Sequence, residues 1–468
     1  MMALKPILIF QMHRMGDLIL SFPLFLWLHR EYPGHPLWVV GEQRFYNALM
    51  PISPEATYMP WDAASNLHTE QFILCINLSH DSAAAALAGK IRAEKTWGAV
   101  EVPARGRYVH GNWQLYRTGL VHANRHNCFH WADLNALDCI PLKRIRTTTW
   151  PRPRTGVGDG RRIGLFLGAS EPAKRPAPTF WAVLVRELLH HDLRPILLGG
   201  PAEMEMAEKV RKLSGQNVLN LAGRLNLAQL ANLGQSLELL ITPDTGPMHL
   251  AAWTGLHVLN LSMGPVNPWE TGPYQPGHFV LQARMSCAGC WQCSRPGYFC
   301  HERYLPRIIA RMTYEAVRRP SESMRALHRS GLGLLTSGRS PEGLYFLHHA
   351  LCVDATPRAR ELLNRFWSLF WGALFGLWTR EPTQTAWTSL QRAYPALSAA
   401  FVRSLADFRR NLRQAWDSLF WSRGAPLLRP LYSYMHLVLQ NTDFSPAGKR
   451  QAMKIVEELL LIVVEKEE

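Results

Sequence analysis

At 468 residues the chain is long enough for two or three domains, and a hydrophobic share of 47% supplies ample material for packed cores. Its formal net charge of +15 suits a solvated basic surface and an anionic partner equally, the partner being a membrane surface or an anionic acceptor. The composition argues against a spanning helix, which needs about eighteen consecutive apolar residues, and no interleaved basic-aromatic tract of the nucleic-acid-binding kind is seen. The segment Met1–Phe10 is too short and too strand-like for a secretory signal. A cytoplasmic location is therefore the default expectation, with the inner face of the cytoplasmic membrane as the place suited to the charge.

In chain order, Ile7–Gln11 reads as a buried strand and Asp17–Arg30 as a helix stopped by Pro33 and Gly34. Leu37–Val40 and Gln71–Leu78 read as further strands, the second followed by the Ala-rich helix Asp81–Leu87. Lys95–Val102 reads as extended, and Trp113–His122 and Trp131–Leu137 as helical. Strands alternating with helices predict a parallel sheet with right-handed crossovers. The Pro/Gly-rich stretch Pro151–Gly160 reads as a linker. A second alternating series follows: strands at Ile163–Leu167, Pro195–Leu198, Val218–Leu221, Leu237–Ile241 and Val258–Leu261, with helices between them. From about Ser321 strand-type runs give way to helical ones rich in Trp and Leu. Trp367, Trp371 and Trp378 fall on or near one helical face, as the core of a helical domain rather than a membrane-docking stripe. Ser340–Leu351 with Arg358–Leu363 reads as a helix-turn-helix pair of which no second copy is found. Ala452–Val464 reads as a last amphipathic helix. The expected fold class is α/β, with two doubly wound Rossmann-like domains facing a cleft and an α-helical C-terminal region. The expected boundaries are residues 1–150, a linker at 151–161, residues 162–320 and a helical extension at 321–468.

The segment carrying most information is Thr242–Leu250, T-P-D-T-G-P-M-H-L. A buried strand, a glycine turn and a helix opened by Pro247 make a cradle of free backbone N–H groups at Thr245 and Gly246 that suits a phosphate. Asp244 and His249 flank it and are able to bond a ribose or a diphosphate. Ligands of such sheets bind at the carboxyl ends of strands. After the first strand, Met12–Leu20 carries Gly16 and Asp17. Asp17 suits a general base at the mouth of the cleft, although by spacing alone a helix N-cap is the stronger reading. Arg14 in the same turn suits an anionic group. After the first strand of the second series, Gly168–Pro176 carries Lys174 and Arg175, cations able to neutralise a leaving diphosphate. It lacks the spacing of a Walker A loop. In Leu198–Glu203 two glycines let the backbone approach a ligand, and Glu203 suits ribose hydroxyls or a helix N-terminus.

Of eight cysteines, Cys287, Cys290, Cys293 and Cys300 cluster as C-x2-C-x2-C-x6-C. That spacing suits a structural zinc, an iron–sulfur cluster or free thiols. No catalytic role follows, because a site closed by four thiolates leaves no open position. Cys75, Cys128, Cys139 and Cys352 read as core thiols.

Taken together, several of these segments resemble glycosyltransferase family 9, the heptosyltransferases of lipopolysaccharide assembly. They are Arg14…Gly16-Asp17…Pro23, Lys174 after Gly168, Leu198–Glu203, Leu221-Ala222-Gly223, Asp244–Ala252 and Trp269–Tyr274, over roughly residues 6–320. The resemblance implies a GT-B fold, an ADP-activated sugar donor (a heptose before others), inversion at the anomeric carbon and no cofactor required for catalysis. It implies a glycolipid acceptor of the lipopolysaccharide-core kind, with no nucleic acid as partner. It implies Asp17 as catalytic base, Arg14 near the acceptor, and Lys174, Glu203, Asp244, Thr245, Gly246 and His249 around the donor. Pro176 departs from the aromatic residue usual after the basic pair, and residues 321–468 lack a counterpart in short members. The competing expectation is a non-catalytic nucleotide-sugar-binding or scaffold protein that binds partners through its helical region.

Overall fold

A computed structural model of the chain describes residues 4–154, 159–293, 295, 297–318, 331–350, 357–413 and 424–464. The first sheet has six strands: β1 (Ile7–Gln11), β2 (Leu37–Gly41), β3 (Thr57–Met59), β4 (Gln71–Asn77), β5 (Arg92–Val102) and β6 (Gly106–His110), in the order β3-β2-β1-β4-β5-β6. All neighbours run parallel except the β5–β6 hairpin. β1 lies inside the sheet, covered on both faces, and all five of its residues are buried. That is why it reads as an unbroken apolar run rather than an alternating one.

The second sheet has eight strands: β7 (Arg162–Phe166), β8 (Arg194–Leu198), β9 (Leu219–Asn220), β10 (Leu239–Pro243), β11 (Val258–Ser262), β12 (Phe279–Ala283), β13 (Leu332–Arg339) and β14 (Tyr345–His349), in the order β14-β13-β12-β11-β10-β7-β8-β9. β7 to β12 pair in parallel, while β13 and β14 add on antiparallel. Two expectations are corrected here. Strands do not end before residue 321, and Tyr345–His349 is a strand, not part of a helix-turn-helix pair. Leu332–Arg339 carries two glycines that weaken a strand signal, and its pairing with β12 supplies what local propensity does not. Gly343, at φ 85°, makes the turn between the two strands.

The helix expected over Asp17–Arg30 is two helices, Met15–Ile19 and Phe22–Glu31. Pro23 lies in the first turn of the second, where a residue without an N–H is tolerated, and a break ahead of it avoids a lost bond inside a longer helix. The described part of the proline-rich stretch lies on the second sheet: Arg154 donates from its backbone to the Gly255 carbonyl at 3.0 Å, and its guanidinium reaches Gln235 and the Gly234 carbonyl. Residues 155–158 lie outside the described residues.

Beyond β14 the described chain is helical: Ala359–Leu374, Glu381–Ala393, Pro395–Arg413, Arg429–Gln440 and Pro446–Val463. Trp367 and Trp371 are fully buried, as a core reading of that face requires. Trp371 and Phe375 pack on Tyr116 and Trp113 of helix Asn112–Gly119, which joins the helical region to the first sheet's domain. Asn441 accepts from the Val109 N–H at 2.8 Å and donates to its carbonyl at 2.6 Å. One apolar core runs through this junction, from β1 to the last helix. Among the described residues, no helix is long and apolar enough to cross a membrane.

Candidate functional site

The carboxyl ends of β1 and β10 face each other. At the end of β1, Arg14 takes the extended conformation ahead of helix Met15–Ile19, and Asp17 lies inside the first turn. Asp17 is therefore not the N-cap. Its backbone carbonyl accepts from Gln11 Nε2 at 3.2 Å and Ser21 Oγ at 2.9 Å. Among the described residues its carboxylate makes no hydrogen bond or ion pair.

At the end of β10, helix Gly246–Trp253 starts after Thr245, with Pro247 in its first turn. Two glycines bring the turns together. A Cβ on Gly16 would lie 3.0 Å from His249 Cδ2, and one on Gly246 would lie 2.3 Å from Met15 Cε. The Asp17 turn thus packs directly on the N-terminus whose free N–H groups and dipole favour an anion. His249 is buried with Nδ1 lacking a partner. Burial lowers its pKa, outweighing the pull of Asp244 and Asp17, so the ring is neutral at neutral pH.

Lys174 Nζ stands 3.4 Å from Asp244 Oδ2 and 3.6 Å from Glu171 Oε1. Burial alone would lower its pKa, but the two carboxylates outweigh it and the group is raised. Its charge is therefore fixed across the physiological range and poised at the cradle. Arg14 reaches from the opposite domain to Ser170 Oγ at 3.4 Å and Glu171 Oε1 at 3.8 Å, so it borders both sides. Glu203 folds back to accept from the Gly200 N–H at 2.9 Å. Its carboxylate occupies the space a Cβ on Gly168 would need, only 2.5 Å from Oε1. That explains the glycines of both loops: they let Glu203 sit at the strand ends.

Two groups at this junction were not singled out from the sequence. Glu270 is buried, takes hydrogen bonds from Asn124 Nδ2 at 2.9 Å and Asn127 Nδ2 at 3.0 Å, and is pushed up to about 7 by burial. Arg117 is buried under the face of Trp131, 4.5 Å from the ring centroid. It donates to the Leu78 carbonyl at 3.0 Å, leaves Nε without a partner and feels the charge of Asp17. Burial draws it down to about 10. Glu270 lay within the Trp269–Tyr274 stretch, which was a signal. Arg117 lay on a helix with nothing to separate it from a surface cation.

Cys287, Cys290, Cys293 and Cys300 are free and partly buried. Burial raises Cys290 and Cys300, and neighbouring thiols of the segment add to this. Yet among the described residues no three His, Cys, Asp or Glu side chains converge closely enough to hold a metal ion. Cys352 lies outside the described residues.

Residues 141–297 match the family described as glycosyltransferase family 9 (heptosyltransferase). The lipopolysaccharide core heptosyltransferase OpsX of Haemophilus influenzae is 24% identical over 290 residues, 58% of this chain and 82% of that protein. The lipooligosaccharide heptosyltransferase 2 of the same organism is 30% identical over 122 residues, 25% of this chain and 35% of that protein. Among solved structures, the ADP-heptose lps heptosyltransferase II of E. coli aligns over 67% of this chain and 98% of its own, with a TM-score of 0.50 and 17% identity. That last likeness concerns the fold, which is of the GT-B class, two α/β domains here carrying an added helical region. Residues 141–297 thus match glycosyltransferase family 9 (heptosyltransferase), within a wider likeness of the chain to a lipopolysaccharide core heptosyltransferase.

Proposed function

We propose that the protein moves a heptose, with inversion, from an ADP-heptose donor to a lipopolysaccharide-core or similar glycan acceptor. The reading is supported most by the packing of the Asp17 turn on the N-terminus of helix Gly246–Trp253, a carboxylate without a hydrogen-bond partner beside an anion-binding helix end. The name of the Haemophilus influenzae relative, a lipopolysaccharide core heptosyltransferase, supports the acceptor class.

In this reading Asp17 takes the proton of an acceptor hydroxyl as its oxygen attacks the anomeric carbon. The bond from that carbon to the diphosphate breaks, and ADP leaves with the electron pair. Lys174 and the N–H groups of Thr245 and Gly246 stabilise the charge that develops on the diphosphate. Asp244 and His249 orient the nucleotide, Glu203 offers its second oxygen to ribose hydroxyls, and Arg14 meets the acceptor at the rim. The transfer as proposed uses the chain's own side chains and requires no cofactor. The net charge of +15 supports work at an anionic membrane surface, at the inner face of the cytoplasmic membrane.

Asp17→Asn tests the role. It keeps size and removes the base, so turnover of ADP-heptose should fall by about 10²–10⁴-fold with ADP binding unchanged. Turnover within a few fold of the parent, measured by ADP release, would refute the assignment.

A further inference from the structure

The cysteine segment has a second connection, to the donor side of the cleft. His301, which follows Cys300, brings Nε2 to 2.8 Å from the carbonyl oxygen of Ala173. A carbonyl only accepts, so Nε2 carries the proton. Ala173 immediately precedes Lys174. The same carbonyl is pressed from another side by Gly264, at φ 77°, where a Cβ would lie 2.1 Å from it. Tyr298 stacks on the His301 ring, with centroids 5.2 Å apart and planes at 27°. The other end of the segment is tied down as well. Arg125 donates to the Ser286 carbonyl at 2.7 Å, and Arg360, from the helical region, donates to the Arg125 carbonyl at 3.2 Å. By contrast, the turn that carries Lys174 is a single 3-10 turn, Pro172–Lys174, with no side-chain cap. A long flexible cation on so short a turn needs an outside grip to meet a ligand at a fixed place.

We propose that His301 is a positioning residue of the donor site: carried by the cysteine segment, it holds the Ala173–Lys174 peptide so that the Lys174 ammonium meets the diphosphate of the donor. The cysteine segment thereby becomes a supporting wall of the donor site. The inference rests on the donor reading given above.

Calorimetric titration with ADP and steady-state kinetics on the full chain test it. His301→Ala should weaken ADP binding and raise the donor KM by about tenfold, with kcat changed far less. His301→Gln, whose amide can donate to the carbonyl, should recover most of the loss. In a double-mutant cycle, His301→Ala should add little on a Lys174→Ala background, because both remove one interaction. Should the alanine variant lose its melting transition, His301→Gln against His301→Met, alike in length and unlike in donating, carries the same comparison. ADP affinity of folded His301→Ala within twofold of the parent, or losses that add in full on the Lys174→Ala background, would overturn the inference. A parent protein that takes no ADP would instead remove the donor reading, and this inference with it.

Discussion

Asp17, His249 and Glu270 are three titratable groups within one junction, and their surroundings set different tasks. Asp17 keeps a carboxylate clear of hydrogen-bond partners, whereas His249 is held neutral by burial. Glu270 is buried and held by two asparagine amides, and burial pushes its carboxyl up to about 7 from an ordinary 4.5. The sign of the stability effect follows. As pH rises above about 4.5 the unfolded chain gives up this proton first, while the folded chain keeps it until about 7. Across that window the folded state loses stability, by up to about 3 kcal/mol, and it does not regain it at higher pH. Glu270→Gln does not titrate. Its melting temperature should exceed that of the parent at pH 8, with the difference shrinking towards pH 4.5. A difference independent of pH, seen by thermal unfolding across this range, would contradict the assignment.

At the scale of elements, what the sequence made legible follows from burial. β1 and β10 are interior parallel strands, so both appear as apolar runs, and each ends in a turn whose glycine marks a helix start. Asp17, Asp244 and His249 follow directly from those turns, and Lys174 from the loop after β7. β13 and β14 were not legible, because β13 is held by pairing with β12 and β14 by pairing with β13, and not by local pattern. Glu270 and Arg117 were missed for the same reason: each is buried by an element distant in sequence. The spacing of the four cysteines left a metal site and free thiols both open, because spacing says nothing of how a loop folds. One element-scale contact has a direct test. β6 is an edge strand, and Asn441 satisfies both the N–H and the carbonyl of Val109 on it. Asn441→Ala should cost about 1–3 kcal/mol in denaturant unfolding. No change in stability would mean that water replaces the side chain at no cost.

Over the whole molecule, the two α/β domains are already joined by buried polar contacts. Asn267 donates to the Asn124 and Asn127 carbonyls, each at 3.1 Å, and Tyr274 donates to Asp133 Oδ1 at 2.6 Å. The Tyr345 N–H, from β14, donates to the other Asp133 oxygen at 2.8 Å. The helical region adds a third tie, since His126 pairs with Asn364 at 2.7 Å. A sequence view of two domains hinged at a proline-rich linker does not foresee these ties, which span residues far apart in the chain. Trp371→Ala, where the helical region packs on the first sheet's domain, should cost about 3–5 kcal/mol and lower the melting temperature of the whole molecule in one transition. Two separate transitions, with the α/β part unaffected, would show the helical region to be independent.

The central claim is an ADP-sugar site at Asp244–His249 faced by Asp17. The most direct measurement is calorimetric titration of the full chain with ADP, UDP, GDP and CMP. The account predicts tight binding of ADP alone, abolished by Asp244→Ala. Binding of none of the four, or tighter binding of another nucleotide, would contradict it.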